Sequence, residues 1–375
     1  MLFAVILFAG ILTMWIPGRW AVAAFQIALF ALAAFTILRR RFQIGWHPVA
    51  ALLAVAALWG VAQIAAHQTI DAWRTGDAVL NWITNLAAFS LALYVARKER
   101  ILQATLIFAG VLGVFAIFTA LSSPPGKIFW WFDTGTGLPT LGPFVYRNQY
   151  AAFVETVLPF AILKAVLDRK RSALYVAIAA MLFASVIAAG SRTGSLLCLA
   201  EIVLTPAAAC LRKLISGRAL ARVAGASLAA IVLFTAIVGW ETIWRRFQEP
   251  HPFGMRAELV RSSLAMIRDH PLAGFGLGVW ADAYPAYARF DDGHYVNQAH
   301  NDWIQWAVEG GVPFFAIMLA IAALTISPAL RSLWGIGMLA VFAHCLVDYP
   351  MQQRPALAAF FFAMTGFVCS SRKMP

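Results

Sequence analysis

Long apolar runs separated by short polar connections extend along almost the whole chain. We interpret the apolar segments near residues 2–16, 20–38, 48–66, 78–96, 101–121, 149–167, 172–190, 193–211, 221–239, 303–326, 331–348 and 355–370 as helices. Each approaches the roughly 20 residues that a helix needs to cross a bilayer. The strands of a membrane barrel would show short alternating segments instead. The pattern predicts an all-α integral membrane protein with about twelve transmembrane helices.

Composition agrees with a membrane location. The chain has 375 residues, of which 62% are hydrophobic and 12% are charged, unlike a typical soluble domain. Because no repeat, low-complexity stretch or separate soluble unit interrupts it, we predict a single polytopic membrane domain over residues 1–375. The one long polar stretch, residues 240–302, is predicted to be a large loop between the ninth and tenth spans.

The net charge of +12 indicates how the chain is oriented. With the N-terminus inside, the cations concentrate in the predicted cytoplasmic connections, as the positive-inside rule requires. These cations are Arg39, Arg40, Arg41, Arg97, Lys98, Arg100, Arg169, Lys170, Arg171, Arg212, Lys213, Arg218, Arg222, Arg331, Arg372 and Lys373. Both termini are therefore predicted to be cytoplasmic and the loop to lie outside. A nucleic-acid partner is not expected, because that would need a basic face on a soluble domain.

Four residues at the predicted outer face begin even-numbered spans: Arg147, Arg192, His300 and Arg354. The positive-inside rule and the helix dipole both disfavour cations at these positions. An anionic ligand would reverse both effects, because free N–H groups and guanidinium groups bind phosphate oxygens. The alternative, which the sequence leaves open, is that these arginines extend towards lipid headgroups.

His300 is a candidate base. The dipole of the following helix should keep its imidazole neutral, and Asn301 or Asp302 is suited to be the N-cap. A neutral histidine beside a bound phosphate could deprotonate a sugar hydroxyl. The alternative is a capping or interfacial histidine.

The loop contains a glycine-rich run and several aromatic residues. Residues 274–278 alternate glycine with apolar residues, which favours a tight turn over a dinucleotide-binding loop, because no strand is predicted before them. The aromatic residues are Trp244, Phe253, Trp280, Tyr284, Tyr287, Phe290 and Tyr295. They are typical either of an interfacial belt or of a surface that stacks on sugars.

Further polar groups lie within the apolar segments. Asp77, Asn81 and Asn85 form one stripe of the fourth span, and Glu155 and Glu201 lie deeper in the sixth and eighth. Such groups are either functional or engaged in hydrogen bonds between helices. The four cysteines show no metal-ligand spacing and are expected to pack as small apolar residues.

Taken together, these motifs resemble the O-antigen ligase and polymerase superfamily of bacterial envelope glycosyltransferases. The resemblance covers residues 142–355 and is clearest in residues 269–278, 298–305, 309–313 and 344–350. Residues 142–150 and 190–194 resemble the two arginine-bearing span starts of the family. The first four or five spans match in topology only.

The resemblance implies a GT-C-like glycosyltransferase architecture with one large periplasmic loop. It implies transfer of a glycan from an undecaprenyl-diphosphate carrier to an acceptor hydroxyl, at the periplasmic face of the bacterial inner membrane and without a metal ion or other cofactor. By motif position, Arg192 and Arg256 would bind the diphosphate, with Arg147 as a further anchor. His300, which would act as base or orient the acceptor, and Arg192 would be catalytic, and Asn301, Asp302 and Asp348 would support them.

Several functions remain open at this stage. An O-antigen ligase would use the lipid A core as its acceptor, whereas an O-antigen or exopolysaccharide polymerase would use the growing glycan. A protein O-oligosaccharide ligase is a third variant. A lipid-linked glycan transporter would more typically show repeated halves and charges at mid-membrane. A scaffold for polysaccharide export is the non-catalytic alternative.

Overall fold

A computed structural model describes residues 1–39, 46–95, 98–248, 254–289, 293 and 295–371. Within these residues the chain is almost entirely helical. The helices are α1 (Leu2–Thr13), α2 (Arg19–Arg39), α3 (Pro48–Ala65), α4 (Ala72–Tyr94), α5 (Lys98–Ser122), α6 (Arg147–Leu167), α7 (Ser172–Ala189), α8 (Arg192–Leu211), α9 (Gly217–Val238), α10 (Glu241–Phe247), α11 (Gly254–Asp269), α12 (Trp280–Ala283), α13 (Asp302–Ser332), α14 (Ile336–His344) and α15 (Pro355–Cys369). A 3₁₀ turn, Tyr284–Tyr287, follows α12, and the two-residue strands β1 (Lys127–Ile128) and β2 (Phe132–Asp133) pair antiparallel between α5 and α6. The all-α class is confirmed.

Eight of the described helices are long and apolar enough to cross a membrane. They are α2, α3, α5, α6, α7, α8, α9 and α13, and α1 and α15 are shorter apolar helices. The predicted fourth span corresponds to α4, which begins earlier than expected because Asp71 caps it and its polar first turns are helical. The total of twelve spans stays a prediction.

The eleventh predicted span is only partly helical. Helix α13 continues to Ser332 and α14 covers only Ile336–His344, so residues 345–348 of the expected apolar run form a turn. The backbone N–H of Asp302 donates to the carbonyl oxygens of Cys345 at 2.9 Å and Asp348 at 3.1 Å. The start of α13 therefore binds this turn, which accounts for the early end of α14.

Helix α6 lies at the centre of the bundle. The most apolar part of α6 is 89% buried, and the helix packs against α7, α8 and α14. A β-carbon at Gly337 of α14 would lie 2.3 Å from the carbonyl oxygen of Glu155, so α14 and α6 approach each other backbone to backbone. By contrast, no residue in the corresponding part of α9 is buried, so α9 presents an apolar outer surface.

The polar segment between α9 and α13 has a small core of its own. Leu259, Met266, Phe275, Trp280 and Tyr284 pack there with the start of α13. The rings of Trp280 and Tyr284 stack at 4.7 Å and are almost fully buried. These two rings therefore belong to the core of this segment, and Trp280 also lines the cavity described below. Trp244 and Tyr295 are exposed.

The glycine-rich run forms the expected tight turn. Gly276 has a φ of +112°, and a β-carbon there would lie 2.1 Å from Oγ1 of Thr69. Its N–H donates to the carbonyl oxygen of Glu309 at 3.0 Å, where α13 is kinked at Gly311. The run therefore supplies hydrogen-bond donors to a break in α13. Among the described residues, helix α11 and not a strand comes directly before it, so the run differs from a dinucleotide-binding loop.

Some of the predicted residues lie outside the described part of the chain. These are Arg40, Arg41, Arg97, Phe253, Phe290, Arg372 and Lys373.

Candidate functional site

The two predicted arginines begin adjacent helices. Arg147 is the first residue of α6 and Arg192 the first of α8, and both are half-buried. A β-carbon at Gly194 would lie 2.4 Å from Cβ of Ala151, so only glycine allows this approach of α8 to α6. The N-cap of α8, Ser191, donates from Oγ to Oδ1 of Asn148 at 2.7 Å. The first turns of both helices are thereby joined.

Asp348 lies at the centre of the site, in the loop between α14 and α15. Its side chain is only 1% exposed. The Tyr146 hydroxyl is 3.0 Å from each carboxylate oxygen, and the amide of Asn148 donates to Oδ2. The backbone N–H of Tyr349 donates to Oδ1 at 2.9 Å. Asp348 therefore fixes the chain on either side of Arg147 against the α14–α15 loop.

Two cationic or titratable side chains complete the surroundings of Asp348. Arg256, from α11, forms an ion pair with Oδ2 at 2.8 Å. Nδ1 of His300 lies 3.6 Å from Oδ1, slightly longer than a hydrogen bond. Arg256 and His300 thus contact opposite oxygens of one buried carboxylate.

The pKa of Asp348 reflects these contacts. Burial alone would raise the pKa of the carboxyl group, but His300 and Arg256 outweigh burial and lower it to about 2. Burial and the neighbouring Asp348 carboxylate raise the pKa of the Tyr146 hydroxyl well above its ordinary value. Asp348 is therefore an anion at neutral pH, and Tyr146 remains a neutral donor.

His300 is held by aromatic rings and by an unusual backbone conformation. Its φ is +51°, in the left-handed region, which directs the chain into α13. Its ring meets Tyr349 edge-on, with centroids 4.8 Å apart, and Tyr349 stacks on Tyr146 at 4.9 Å. Because Asp348 faces Nδ1, Nε2 is the ring nitrogen available to a substrate.

Asn301 and Asp302 attach the start of α13 to the loop that carries Asp348. Asn301 is the N-cap, accepting from the N–H of Ile304 at 3.0 Å and donating to the carbonyl of Leu346 at 2.7 Å. Asp302 is the first helical residue, and its carboxylate accepts from the N–H of Met351 at 3.0 Å. The prediction that Asn301 or Asp302 caps this helix is confirmed for Asn301, and His300 lies just before the cap.

The structure brings four of the predicted site residues to the loop that carries Asp348. His300 and Arg256 contact Asp348 directly, and Asn301 and Asp302 hold the same loop. Arg147 and Arg192 begin the helices whose neighbouring residues Tyr146, Asn148 and Ser191 form the hydrogen-bond network. Arg354 is the N-cap residue of α15, its guanidinium donates to the carbonyl oxygen of Met14 at 2.7 Å, and it lines the cavity described below.

Sequence reasoning did not assign roles to Tyr146, Asn148, Ser191 and Tyr349. Each adjoins a residue that it did identify, and three of them lie in the first turns or caps of α6 and α8. The signal was therefore present as polar neighbours of the arginines. It could not show that these side chains converge on one carboxylate, because that convergence is tertiary.

A second feature is a cavity of about 740 Å³ beside this network. Its walls come from α4, α12, the start of α13 and the loop before α15, and include the predicted polar residues Asp77, Asn81 and Asn85. Asp77 pairs with Arg19 at 3.0 Å, and Asn81 accepts from Gln26 at 3.0 Å. For these two residues the alternative of bonding between helices is confirmed.

The two intramembrane glutamates lie in the protein interior. Glu155 is fully buried and shares a hydrogen bond with Nδ1 of His344 at 2.7 Å, which joins α6 to α14. Both carboxylate oxygens of Glu201 are buried with no hydrogen-bond partner among the described residues. All four cysteines are free, and Cys198 and Cys345 are buried.

One segment of the chain matches a model of a known protein family. Residues 176–319 match the family model described as O-antigen ligase. This segment of the chain is similar to the O-antigen ligase family. No curated protein matches the chain. The matched region includes Arg192, Arg256 and His300, whereas Arg147 and Asp348 lie outside it.

The family match confirms the coarse functional prediction. It implies a glycosyltransferase of the ligase or polymerase type that is embedded in a bacterial membrane and uses lipid-linked glycans. The predicted resemblance is therefore confirmed at the level of the superfamily.

Proposed function

We propose that this protein is an O-antigen ligase that transfers a glycan from undecaprenyl diphosphate to a hydroxyl group of the lipid A core. The observation that carries the proposal is the buried Asp348 carboxylate with Arg256 at 2.8 Å and His300 at 3.6 Å. One anion thereby positions a candidate phosphate-binding cation and a candidate base side by side.

His300 acts as the base in this mechanism. Asp348 faces Nδ1 and favours the tautomer that carries its proton there, so Nε2 can accept the proton of the acceptor hydroxyl. Contacts of this kind often tighten when the substrate binds, so the 3.6 Å separation is compatible with the role. The acceptor oxygen forms a bond to the anomeric carbon as its proton moves to His300.

The arginines act on the leaving group. When the bond between the anomeric carbon and the diphosphate oxygen breaks, the electron pair stays on that oxygen, and negative charge increases on the diphosphate. Arg192 and Arg147, at two joined helix N-termini, and Arg256 stabilise this charge. Arg256 can bind Asp348 and a phosphate together because guanidinium carries five N–H donors.

In this mechanism the guanidinium groups take the part that a metal ion has in other glycosyltransferases, and no cofactor participates.

Attack from the side opposite the leaving diphosphate inverts the anomeric centre. The linkage of the product, determined by NMR, tests this step: retention of configuration would contradict it.

We propose that the site faces the periplasm of the inner membrane, with both termini in the cytoplasm and residues 240–302 as the large periplasmic loop. The support is the concentration of cations in the predicted cytoplasmic connections.

A deletion strain tests the choice of ligase. We expect loss of all long glycan from lipopolysaccharide, with lipid-linked polymer accumulating, and restoration of the glycan by the plasmid-borne wild-type chain. A product with a single repeat would indicate a missing polymerase instead. An unchanged lipopolysaccharide with loss of glycan from a protein or an exopolysaccharide would also contradict the ligase assignment.

A further inference from the structure

The cavity beside the site has unused hydrogen-bonding capacity. Asn85, on the membrane side of the polar stripe of α4, is only 4% exposed, and its Oδ1 has no hydrogen-bond partner among the described residues. Oε1 of Gln298, in the loop before α13, is likewise buried without one. Both residues line the cavity. A buried amide oxygen without a donor is costly, so the cavity is suited to a ligand that brings O–H or N–H groups.

The charged groups of the cavity are already engaged. Arg74 pairs with Asp282 at 3.1 Å, Asp77 pairs with Arg19, and Arg354 donates to the carbonyl oxygen of Met14 at 2.7 Å. The carboxylate of Glu309 accepts from the N–H of Gly278 at 2.9 Å and from the amide of Gln305 at 2.9 Å. The open polar positions are therefore neutral amides, which suits an uncharged, hydroxyl-rich ligand better than a diphosphate.

Aromatic rings complete the cavity. Trp82 and Trp306 are buried in its wall, and Trp73 and Tyr295 are 79% and 71% exposed at its edge. Flat aromatic faces beside amide groups provide both surfaces that a sugar ring needs, one apolar and one polar.

The cavity lies beside the segment of chain that leads to His300. Asn297 and Gln298, in its wall, lie three and two residues before His300. The backbone N–H of Met351, also in its wall, donates to the carboxylate of Asp302. Among the residues the structure describes, Arg147, Arg192, Arg256 and Asp348 do not line it. A sugar in the cavity would therefore approach the base without occupying the proposed diphosphate position.

We infer that this cavity binds the terminal sugar residues of the acceptor glycan, with Asn85 and Gln298 accepting hydrogen bonds from sugar hydroxyls and the aromatic rings stacking on the sugar faces. The identification of the sugar as the acceptor rests on the proposed function, whereas the binding of sugar by the cavity does not.

Saturation-transfer NMR on the full chain in lipid nanodiscs tests the binding of sugar directly. The probes are methyl glycosides of glucose, galactose, mannose and N-acetylglucosamine, with protein-free nanodiscs as the blank. We expect at least one probe to bind the wild type. Affinity should fall roughly tenfold or more in the double variant Asn85→Leu/Gln298→Leu, because two hydrogen bonds are lost.

The matched control is Gln103→Leu, which removes an exposed amide from α5, outside the cavity. It should bind the probes as the wild type does. No binding to the wild type, equal binding to the double variant, or displacement of the sugar by inorganic diphosphate would each overturn the inference.

A transfer assay with the purified chain separates the inference from the proposed function. We expect Asn85→Leu to raise the KM for the acceptor oligosaccharide and to leave the KM for the lipid-linked donor unchanged. Transfer with an unchanged acceptor KM would contradict the acceptor assignment while the proposed function stands. Binding that depends on Asn85 and Gln298 without any transfer would leave the sugar-binding cavity in place and contradict the proposed function.

Discussion

Asp348 is the residue on which the proposed chemistry depends most. It accepts hydrogen bonds from Tyr146, Asn148 and Arg256 and faces His300, although its side chain is almost completely buried. A buried carboxylate with these partners remains charged, and loss of one partner leaves a costly group behind. The same contacts that position His300 therefore also stabilise the fold locally.

Asp348→Asn should remove a pH-dependent part of the stability. Because the pKa of Asp348 is lowered from 3.8 to about 2, the ionised group stabilises the folded state above a pH of about 4, and this contribution is lost as the pH falls through about 2. We expect the variant to have a lower Tm than the wild type, and the difference in Tm should not change with pH near neutrality. The difference should narrow under strongly acidic conditions.

Intrinsic fluorescence during heating of the detergent-solubilised chain measures this difference. Asp168→Asn, at the end of α6 and away from the site, is the control for a generic carboxylate effect. A difference in Tm between Asp348→Asn and wild type that is the same at strongly acidic and neutral pH would contradict the assigned ionisation.

Arg192→Lys should weaken binding of the donor although the charge is retained. Guanidinium binds phosphate through two parallel hydrogen bonds, whereas ammonium acts as a point charge. We expect the KM for the lipid-linked donor to rise about tenfold, equivalent to about 1.4 kcal/mol. The matched control is Arg212→Lys at the C-terminal end of α8, where the guanidinium donates to the carbonyl oxygen of Arg331. Equal effects of both exchanges would argue against a phosphate site at Arg192.

At the scale of helices, the site depends on the close approach of α6 and α8. The sequence predicted that both helices begin at an arginine, because the apolar runs start there. It could not predict that Ser191, Asn148 and Asp348 join those starts, since this requires knowledge of which helices are neighbours. The short α14 and the kink at Gly311 were missed for the same reason, because both depend on contacts with distant loops.

Gly194→Ala should separate the two helix starts. The added methyl group would lie 2.4 Å from Cβ of Ala151, and overpacking of this kind costs about 1–3 kcal/mol. We expect a lower Tm and reduced transfer activity.

Gly225→Ala in α9 is the matched control, since a β-carbon there has no atom within 4 Å. This exchange should be neutral or slightly stabilising, because alanine favours helix. If the Tm of Gly194→Ala equalled that of the wild type, close packing of α6 and α8 would not be needed to form the site.

At the scale of the whole molecule, hydropathy was sufficient to predict the all-α membrane class but not the arrangement of polar residues inside the protein. Each predicted apolar segment overlaps a helix, from α1 to α15. The amphipathic helix α11 was not predicted, although it delivers Arg256 to Asp348. The sequence showed the polar stripe of α4 but not the cavity, because the other walls of the cavity come from distant segments.

The proposed orientation predicts which residues are accessible from outside the cell membrane. Arg289 and Arg218 are both exposed, and they lie in the proposed periplasmic loop and in a proposed cytoplasmic connection, respectively. In spheroplasts, a membrane-impermeant maleimide should label Arg289→Cys and should label Arg218→Cys only after lysis. The wild-type chain gives the background of its four native cysteines. Labelling in the reverse order would contradict the orientation.

The most direct test of the account is transfer of glycan by the purified full chain from undecaprenyl diphosphate to lipid A core oligosaccharide, measured for wild type, His300→Ala and a control, His270→Ala. His270 lies in the loop with its ring against Phe275, away from Asp348. We expect transfer by the wild type and the control, and a rate lower by about 10²–10⁴-fold for His300→Ala, as for loss of a general base. Transfer at the wild-type rate by His300→Ala would contradict the mechanism.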